Sequence, residues 1–158
     1  MKIQYYDAPI GRLRLGAQGG CITEITVCDP AECLPEQEDA VFLLASRWLD
    51  EYFRGEEPDG KTIPLCLKGT QFQCRVWRLL LTIPYGEVRT YGQLAVEIAR
   101  EMEKETMSAQ AVGQAVGSNP ISILIPCHRV VGAKGKLTGY AWGLERMRWL
   151  LRHEGHQY

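Results

Sequence analysis

A segment rich in glycine and proline, Gly55–Gly69 (GEEPDGKTIPLCLKG), divides the chain. Glycine and proline interrupt both helices and strands, so a regular element is not expected to run through this segment. Before it the sequence favours strands and one helix, and after it apolar residues follow mainly helical spacing. The 158 residues suffice for one ordinary domain or two small ones. We therefore predict two domains, residues 1–66 and residues 67–158.

The first domain is predicted to be a small sheet covered by a helix. Residues 2–6 and 12–17 flank the stretch DAPIG, and Ile22–Val27 is rich in β-branched residues, so three strands are expected. From Glu38 to near Gly55, apolar residues recur every three or four positions, which predicts an amphipathic helix. These apolar residues are Val41, Phe42, Ala45, Trp48, Leu49 and Tyr52.

The second domain is predicted to begin with three helices. Thr70, Thr90 and Ser108 each precede an apolar stripe, in the position of a helix N-cap. The third helix is predicted to end at Gly117, because glycine is favoured at helix C-termini. A brief polar turn joins the second and third helices, which indicates a helix-turn-helix.

Beyond these helices the sequence predicts a strand, a hairpin and a closing helix. ISILIP, residues 121–126, is typical of a buried strand, and VVGAKGKLTGY is predicted to form a hairpin with Lys134 and Lys136 near its tip. LERMRWLLRHE is predicted to be the last helix. The predicted fold class is therefore α+β: a small N-terminal sheet with a helix, followed by a C-terminal winged-helix or helix-turn-helix domain.

Composition restricts the class of protein. With 46% hydrophobic and 23% charged residues the chain is typical of soluble globular proteins, and its apolar runs are shorter than the roughly 18 residues of a membrane span. The N-terminus has no apolar run after Lys2, so we expect no secretory signal and a cytoplasmic protein. The six cysteines lack C-x-x-C spacing, which predicts free thiols and no zinc module.

Charge is distributed unevenly along the chain. Residues 1–74 contain 7 basic and 12 acidic residues, a net charge of −5, whereas residues 75–158 contain 11 and 7, a net charge of +4. This asymmetry is compatible with a C-terminal unit that binds a polyanion. An unevenly charged solvated surface is the alternative explanation.

Cys127 lies in the stretch IPCHRVV, residues 125–131. A cysteine in an apolar strand is usually an inert hydrophobic residue, but Pro126 removes a backbone donor and predicts that the strand ends or turns there. Consecutive strand residues point to opposite faces, so Cys127 and His128 share a site only if the chain turns or a water bridges them. Histidine activates a thiol by favouring the nucleophilic thiolate. Glu154 is a candidate to orient the histidine, with a merely solvated glutamate as the alternative.

Residues 118–155, SNPISILIPCHRVVGAKGKLTGYAWGLERMRWLLRHEG, resemble the signature of the O6-alkylguanine-DNA alkyltransferases, also called methylated-DNA–protein-cysteine methyltransferases. The resemblance extends upstream through GTQFQCRVWRLLLTIPYGEVRTYGQLA and covers nearly all of residues 69–155, whereas the first third resembles the family only in outline. It implies irreversible, stoichiometric transfer of the alkyl group from O6-alkylguanine, mainly O6-methylguanine, to the protein. The damaged nucleotide is flipped out of the duplex for this reaction.

The resemblance also implies roles for single residues. Cys127 is the alkyl acceptor, His128 acts on it through a water, and Glu154 completes the relay. Asn119 holds the active-site turn, and Tyr91 lies beside the rotated phosphate and donates a hydrogen bond to the leaving guanine. The residues expected to contact DNA or the flipped base are Gln110, Ala111, Arg129, Tyr140, Ala141 and Trp142. No cofactor and no metal are expected, and the expected partner of a monomeric protein is double-stranded DNA containing O6-alkylguanine.

The chain departs from the family pattern at two positions. Gln110 stands where family members usually have an arginine that enters the duplex, which predicts weaker or slower flipping from intact duplex with the chemistry retained. Trp142 stands where glycine is frequent, which predicts a narrower pocket that handles methyl better than benzyl adducts. Packing of Trp142 on the last helix is the alternative.

Three other functions share some of these sequence features. A cysteine hydrolase usually has its cysteine and histidine far apart in sequence, together with an oxyanion hole. A metal site like that of some family members is not matched by Cys21, Cys28 and Cys33. A non-catalytic or regulatory winged-helix protein that binds alkylated DNA is the main alternative, although such relatives lack the acceptor cysteine.

Overall fold

The computed structural model describes the whole chain, Met1–Tyr158, as two compact units. The first unit contains Met1–Lys68 together with Pro120–Ser122, and the second contains Gly69–Asn119 and Ile123–Tyr158. The domain division at residues 66 and 67 stays a prediction, since the first unit also includes a short segment from the second half of the chain.

The first unit is built on an antiparallel sheet of three strands in the order β1-β2-β3. The strands are β1 (Lys2–Ala8), β2 (Gly11–Gln18) and β3 (Cys21–Val27), which confirms the three predicted strands. A bulge interrupts the pairing of β2 with β3 between Gly16 and Ala17. Two short bridges extend the sheet beyond β3, from Ile22 to Leu65 and from Ile25 to Ile121.

One helix, α1 (Ala40–Phe53), packs against this sheet. It begins after Asp39, whose side chain accepts a hydrogen bond from the amide of Val41 and so satisfies one of the free N–H groups at the helix start. Its buried residues are the six apolar residues predicted for this face: Val41, Phe42, Ala45, Trp48, Leu49 and Tyr52.

The second unit contains four helices, of which the first three have the predicted caps. α2 (Gln71–Leu80), α3 (Tyr91–Glu101) and α4 (Ala109–Gly117) begin after Thr70, Thr90 and Ser108, and each cap side chain accepts a backbone hydrogen bond. A hydroxyl cap of this kind stabilises a helix by about 1 kcal/mol. The contacts of α4 with α2 and α3 form the helical core of the unit.

The predicted strand over residues 121–126 is wrong. Ile121 makes only an isolated bridge, and Ile123 has a left-handed backbone with φ of 71°. Such a conformation ends any strand and strains a β-branched residue by about 1–3 kcal/mol. Ile123 and Ile125 are nevertheless buried, so the apolar pattern correctly predicted burial but not strand geometry.

The predicted hairpin over residues 130–140 is also wrong. Val130–Val131 forms strand β5, which pairs in parallel with strand β4 (Arg89–Thr90) and not with a following strand, although the chain reverses directly after it. A tight 3₁₀ turn, Ala133–Gly135, follows β5 and is closed by a 2.7 Å hydrogen bond from the Gly132 amide to the Lys136 carbonyl.

The last helix, α5 (Leu144–His153), lies where the sequence predicts it. Met147 and Leu151 of α5 pack with Val131 in a small buried cluster, which Tyr140 and Tyr158 cover in part. None of the helices is long and apolar enough to cross a membrane.

Candidate active site

The chain turns sharply immediately before Cys127. Pro126, with φ of −80° and ψ of 66°, is the centre of an inverse γ-turn in which the Cys127 amide donates a 2.8 Å hydrogen bond to the Ile125 carbonyl. Cys127–Arg129 then form one 3₁₀ turn. This confirms that the chain turns at Pro126, so Cys127 and His128 are not held on opposite faces of a strand.

Asn119 braces this turn. Its side-chain amide Nδ2 donates a 2.8 Å hydrogen bond to the same Ile125 carbonyl that accepts from Cys127. A half-buried amide on a carbonyl of the γ-turn restricts how far the turn can move. The role of Asn119 in the reaction stays a prediction.

His128 and Glu154 form a buried pair. His128 Nε2 lies 2.6 Å from Glu154 Oε2, and both side chains are 0% exposed. Since an ionised carboxylate only accepts hydrogen bonds, Nε2 carries the histidine proton and Nδ1 is left as the acceptor. His128 Nδ1 is buried and has no hydrogen-bond partner within the protein.

Arg129 lies in this same cluster, which contradicts the prediction that it contacts DNA. The residue is buried, and its Nε and Nη2 donate to Glu154 Oε1 and Oε2 at 2.8 and 3.1 Å. Nη1 donates to the Ile83 carbonyl at 2.7 Å. A guanidinium whose three nitrogens are all bonded internally is not available to a phosphate or a base edge.

Burial and charge set the protonation of the pair. Burial by itself raises the pKa of Glu154, but the hydrogen bonds from His128 and Arg129, together with the charge of Arg129, outweigh it and hold that pKa well below its usual range. Burial lowers the pKa of His128, although the Glu154 carboxylate acts in the opposite direction. At neutral pH the site therefore consists of an ionised Glu154, a charged Arg129 and a neutral His128.

Two tyrosines lie near the Cys127 sulfur. Burial, followed by the charge of a Cys127 thiolate, raises the pKa of both Tyr140 and Tyr91. The Tyr91 hydroxyl donates a 3.5 Å hydrogen bond to the Thr138 carbonyl, and its ring lies where a Cβ on Gly113 of α4 would be in contact. Cys127 itself is buried, with 7% of its surface exposed.

The other predicted DNA or base contacts lie outside this buried cluster. Gln110 is exposed on the first turn of α4, where the amide of Ala111 donates to the Ser108 cap. Ala141 is exposed, and the half-buried Trp142 meets the Tyr140 ring edge to face at a centroid distance of 6.0 Å.

The turn at residues 83–86 also contributes to the site, although no sequence pattern predicts this. Its Ile83 carbonyl holds Arg129, the Gly86 amide donates to Glu154 Oε1 at 3.5 Å, and the Tyr85 hydroxyl donates to the His153 carbonyl at 3.3 Å. The proline and glycine of IPYG are typical of a turn, but only the fold shows that the Gly86 amide contacts a carboxylate 68 residues away.

The chain has no group of three or more His, Cys, Asp or Glu side chains placed to hold a metal ion. None of its six cysteines is in a disulfide.

Comparison with known proteins gives two adjacent family matches. Residues 71–156 match the family model described as the DNA-binding domain of 6-O-methylguanine DNA methyltransferase, and residues 1–67 match its ribonuclease-like domain. A methylated-DNA–protein-cysteine methyltransferase of Mycobacterium leprae is 44% identical over 155 residues, covering 96% of this chain and 90% of the relative. A methylated-DNA–protein-cysteine methyltransferase of Shigella flexneri is 53% identical over 108 residues, covering 68% of this chain and 60% of the relative.

Solved structures agree with these matches. A crystal structure of Mycobacterium tuberculosis OGT in complex with DNA superposes with a TM-score of 0.81 at 44% identity, covering 98% of this chain and 92% of the other. An O6-methylguanine DNA methyltransferase from Methanococcus jannaschii superposes with a TM-score of 0.68 at 28% identity, covering 98% and 95%. Both units and the turn that carries Cys127 lie within these matches, so the chain belongs to the 6-O-methylguanine DNA methyltransferase family.

Proposed function

We propose that this protein repairs O6-alkylguanine in double-stranded DNA by transferring the alkyl group to Cys127, once and irreversibly. Family membership supports the reaction class, and one structural observation supports the acceptor. Cys127 directly precedes a buried His128 whose Nε2 is bound by Glu154 and whose Nδ1 has no partner within the protein. A histidine held in this tautomer is a proton acceptor beside a thiol.

The reaction uses Cys127, His128, a bridging water, Tyr91 and the alkylated guanine. The thiol proton moves to His128 Nδ1 through a bridging water, and the thiolate attacks the alkyl carbon opposite guanine O6. A sulfur–carbon bond forms and the carbon–O6 bond breaks, with its electron pair left on the guanine, which takes up a proton from water while the His128 imidazolium releases its proton to water. Tyr91 donates a hydrogen bond to the leaving guanine. The resulting thioether does not regenerate the thiol, so each molecule reacts once.

The remaining roles are those that the resemblance to the family implies. Asn119 keeps the γ-turn in place through its 2.8 Å bond to the Ile125 carbonyl. Tyr140 lines the pocket next to the sulfur, and Gln110, Ala111, Ala141 and Trp142 contact the flipped base or its flanking DNA. The nucleotide has to leave the duplex because a thiol in a buried turn does not reach a base inside the stack.

Stoichiometry tests this function. Duplex DNA containing O6-methylguanine is mixed with increasing protein, and unmodified guanine is quantified after digestion. We expect guanine to rise linearly and to plateau at one repaired base per protein molecule. Cys127→Ser is expected to bind the same DNA without repairing it. Continued turnover beyond one equivalent, or repair by the variant, contradicts the proposal.

The same experiment separates repair from its main alternative. A non-catalytic or regulatory protein binds alkylated DNA and leaves the lesion unchanged. The wild-type protein then shows binding equal to that of Cys127→Ser and no restored guanine at any ratio of protein to DNA.

Gln110 is proposed to limit extraction of the damaged base from intact duplex. Glutamine can hydrogen-bond the orphaned cytosine, but it lacks the charge and the stacking surface of arginine. We expect Gln110→Arg to accelerate transfer on duplex DNA and to leave transfer on single-stranded DNA unchanged. Equal rates for the variant and the wild type on duplex contradict this role.

Trp142 is proposed to narrow the base pocket, since its ring contacts that of Tyr140. We expect the wild type to react faster with O6-methylguanine than with O6-benzylguanine, and Trp142→Gly to reduce that preference. A variant that keeps the wild-type preference shows that Trp142 only packs.

We also propose that the protein works as a cytoplasmic monomer. Six cysteines outside disulfides are suited to a reducing compartment. Sedimentation of the protein alone tests the monomer, and fractionation of expressing cells tests the location.

A further inference from the structure

Arg129 is a buried cation that the reaction above leaves without a role. All three guanidinium nitrogens make short contacts, two of them with Glu154 and one with the Ile83 carbonyl. Glu154 in turn is the hydrogen-bond partner of His128. Arg129 therefore contacts the residue that orients the base, but not the base itself.

We propose that Arg129 is a positioning residue for alkyl transfer: it balances the charge of Glu154 and fixes that carboxylate in place, so that His128 stays neutral, holds its proton on Nε2 and presents Nδ1 as the base for Cys127. This inference rests on the proposed function and assigns the electrostatic control of that same site.

The need for a positive charge follows from where Glu154 lies. The carboxylate is fully buried and belongs to the C-terminal cap residue of α5, and both the low dielectric and the helix dipole disfavour a negative charge there. Because burial lowers the pKa of His128, the histidine is neutral at neutral pH and provides a hydrogen bond without a charge. Arg129 is then the permanent cation in contact with this carboxylate.

The geometry suits arginine rather than any other cation. The planar guanidinium places Nε and Nη2 against the two oxygens of Glu154, which leaves a lone pair of Oε2 directed at His128. Nη1 is held at the same time by the Ile83 carbonyl, and the Arg129 guanidinium carbon lies 5.7 Å from the centroid of the Tyr85 ring. A lysine at this position keeps the charge but has a single nitrogen to share among these acceptors.

The ionisable groups that act on His128 are Glu154, Arg129 and His156. The Glu154 carboxylate favours a protonated His128, whereas Arg129 and, more weakly, a protonated His156 disfavour it. Removing the charge of Arg129 therefore raises the pKa of His128. A histidine that is already protonated at neutral pH cannot take the proton of the Cys127 thiol.

Single-turnover methyl transfer against pH tests the inference, with Arg129→Gln and Arg129→Lys compared with the wild type. We expect Arg129→Gln to slow methyl transfer on the order of 100-fold at neutral pH. Part of the rate is expected to return at higher pH, because the acidic side of the pH–rate profile shifts to higher pH in this variant. Arg129→Lys is expected to transfer methyl more slowly than the wild type, but with the acidic side of its pH–rate profile at the same pH. Arg148→Gln is the control, since Arg148 pairs with the exposed Glu145 on the same helix.

A purely structural role predicts a different result. If Arg129 only stabilises the fold, the folded fraction of Arg129→Gln reacts with an unchanged pH profile. An unchanged profile in Arg129→Gln, or a profile in Arg129→Lys displaced as far as that of Arg129→Gln, overturns the inference.

Nitrogen NMR of the histidine ring provides a readout that does not depend on repair. In the wild type and in Arg129→Lys we expect a neutral His128 protonated on Nε2 at neutral pH, and in Arg129→Gln an imidazolium. If Arg129→Gln does not fold, the Arg129→Lys spectrum decides, since an imidazolium there contradicts the role of the charge. If the wild type shows the expected tautomer but transfers no methyl group, the proposed function fails and the inference about His128 survives.

Discussion

Arg14 in the first unit and Arg129 in the second each bind carboxylates close to a cysteine. Arg14 donates to Glu24 at 3.1 Å and to Glu32 at 2.8 Å, and each of these three side chains is about a quarter exposed. Arg129 binds one carboxylate, and that carboxylate is fully buried. The side-chain chemistry is the same, so the difference between the two networks lies in burial and in the neighbouring histidine.

The two cysteines show what this difference does. Burial, and then the charge of Glu32, raises the pKa of Cys28, and the nearby Arg12 and Arg14 do not reverse the shift. Nearby arginines are therefore not enough to activate a thiol. Beside Cys127 the carboxylate is already bound by Arg129, and it holds a histidine whose free Nδ1 can accept a proton. A proton acceptor, rather than local positive charge, distinguishes Cys127 from Cys28.

The largest expected effect is on transfer rate. His128→Gln removes the proton acceptor, and we expect methyl transfer to slow on the order of 1,000-fold, within the range typical of general base catalysis. Cys28→Ser, the matched change beside the other network, is expected to leave the rate unchanged. Stopped-flow or quenched single-turnover assays on methylated duplex give both rates. Methyl transfer by His128→Gln at the wild-type rate contradicts the claim that a proton acceptor distinguishes Cys127 from Cys28.

The next effect is on stability. Glu154→Gln leaves the buried guanidinium of Arg129 without its counter-charge, and we expect a loss of about 3 kcal/mol in the free energy of unfolding. Glu32→Gln keeps Arg14 paired with Glu24 in a partly solvated setting, so its loss is expected to be a small fraction of that. Urea denaturation of both variants measures the difference. Equal losses contradict the role assigned to burial.

The smallest effect is on the pH dependence of stability. The pKa of His128 is lowered in the folded state. As the pH falls below the unperturbed histidine pKa of about 6.5, His128 is therefore protonated in the unfolded chain before it is protonated in the folded one. The stabilisation is complete above that pH and is lost towards lower pH, at up to about 1.4 kcal/mol per pH unit. The lowered pKa of Glu154 adds a further loss only below about pH 4.3.

Urea denaturation between pH 7 and pH 5 measures this slope. All three histidines of the chain lie in the second unit, at residues 128, 153 and 156. His128→Gln is expected to flatten the slope. A variant with the wild-type slope shows that His128 is not buried in its neutral form.

Local signals predicted much of the fold. The caps Thr70, Thr90 and Ser108 were identified because an N-cap needs only its own hydroxyl and an apolar stripe after it. The turn at Pro126 was predicted for a similar reason, since proline restricts its own backbone. Predictions of this kind depend on few neighbours and are therefore accessible from the sequence.

The errors occur where distant segments decide the structure. The sequence predicts that Val130–Val131 is the first strand of a hairpin, but its strand partner is Arg89–Thr90, some 40 residues earlier in the chain. Arg129 is predicted to contact DNA, but the structure buries it. Its burial depends on Glu154 and on the Ile83 carbonyl, and no local pattern brings these together.

Peptide mapping by mass spectrometry tests the central claim most directly. The protein is incubated with an equimolar amount of duplex DNA containing O6-methylguanine, digested, and searched for S-methylcysteine. Our account predicts one methyl group per protein, located on Cys127 and on none of the other five cysteines, and its absence in Cys127→Ser. A methyl group on Cys28 or on another cysteine, or an unmodified protein beside repaired DNA, contradicts it.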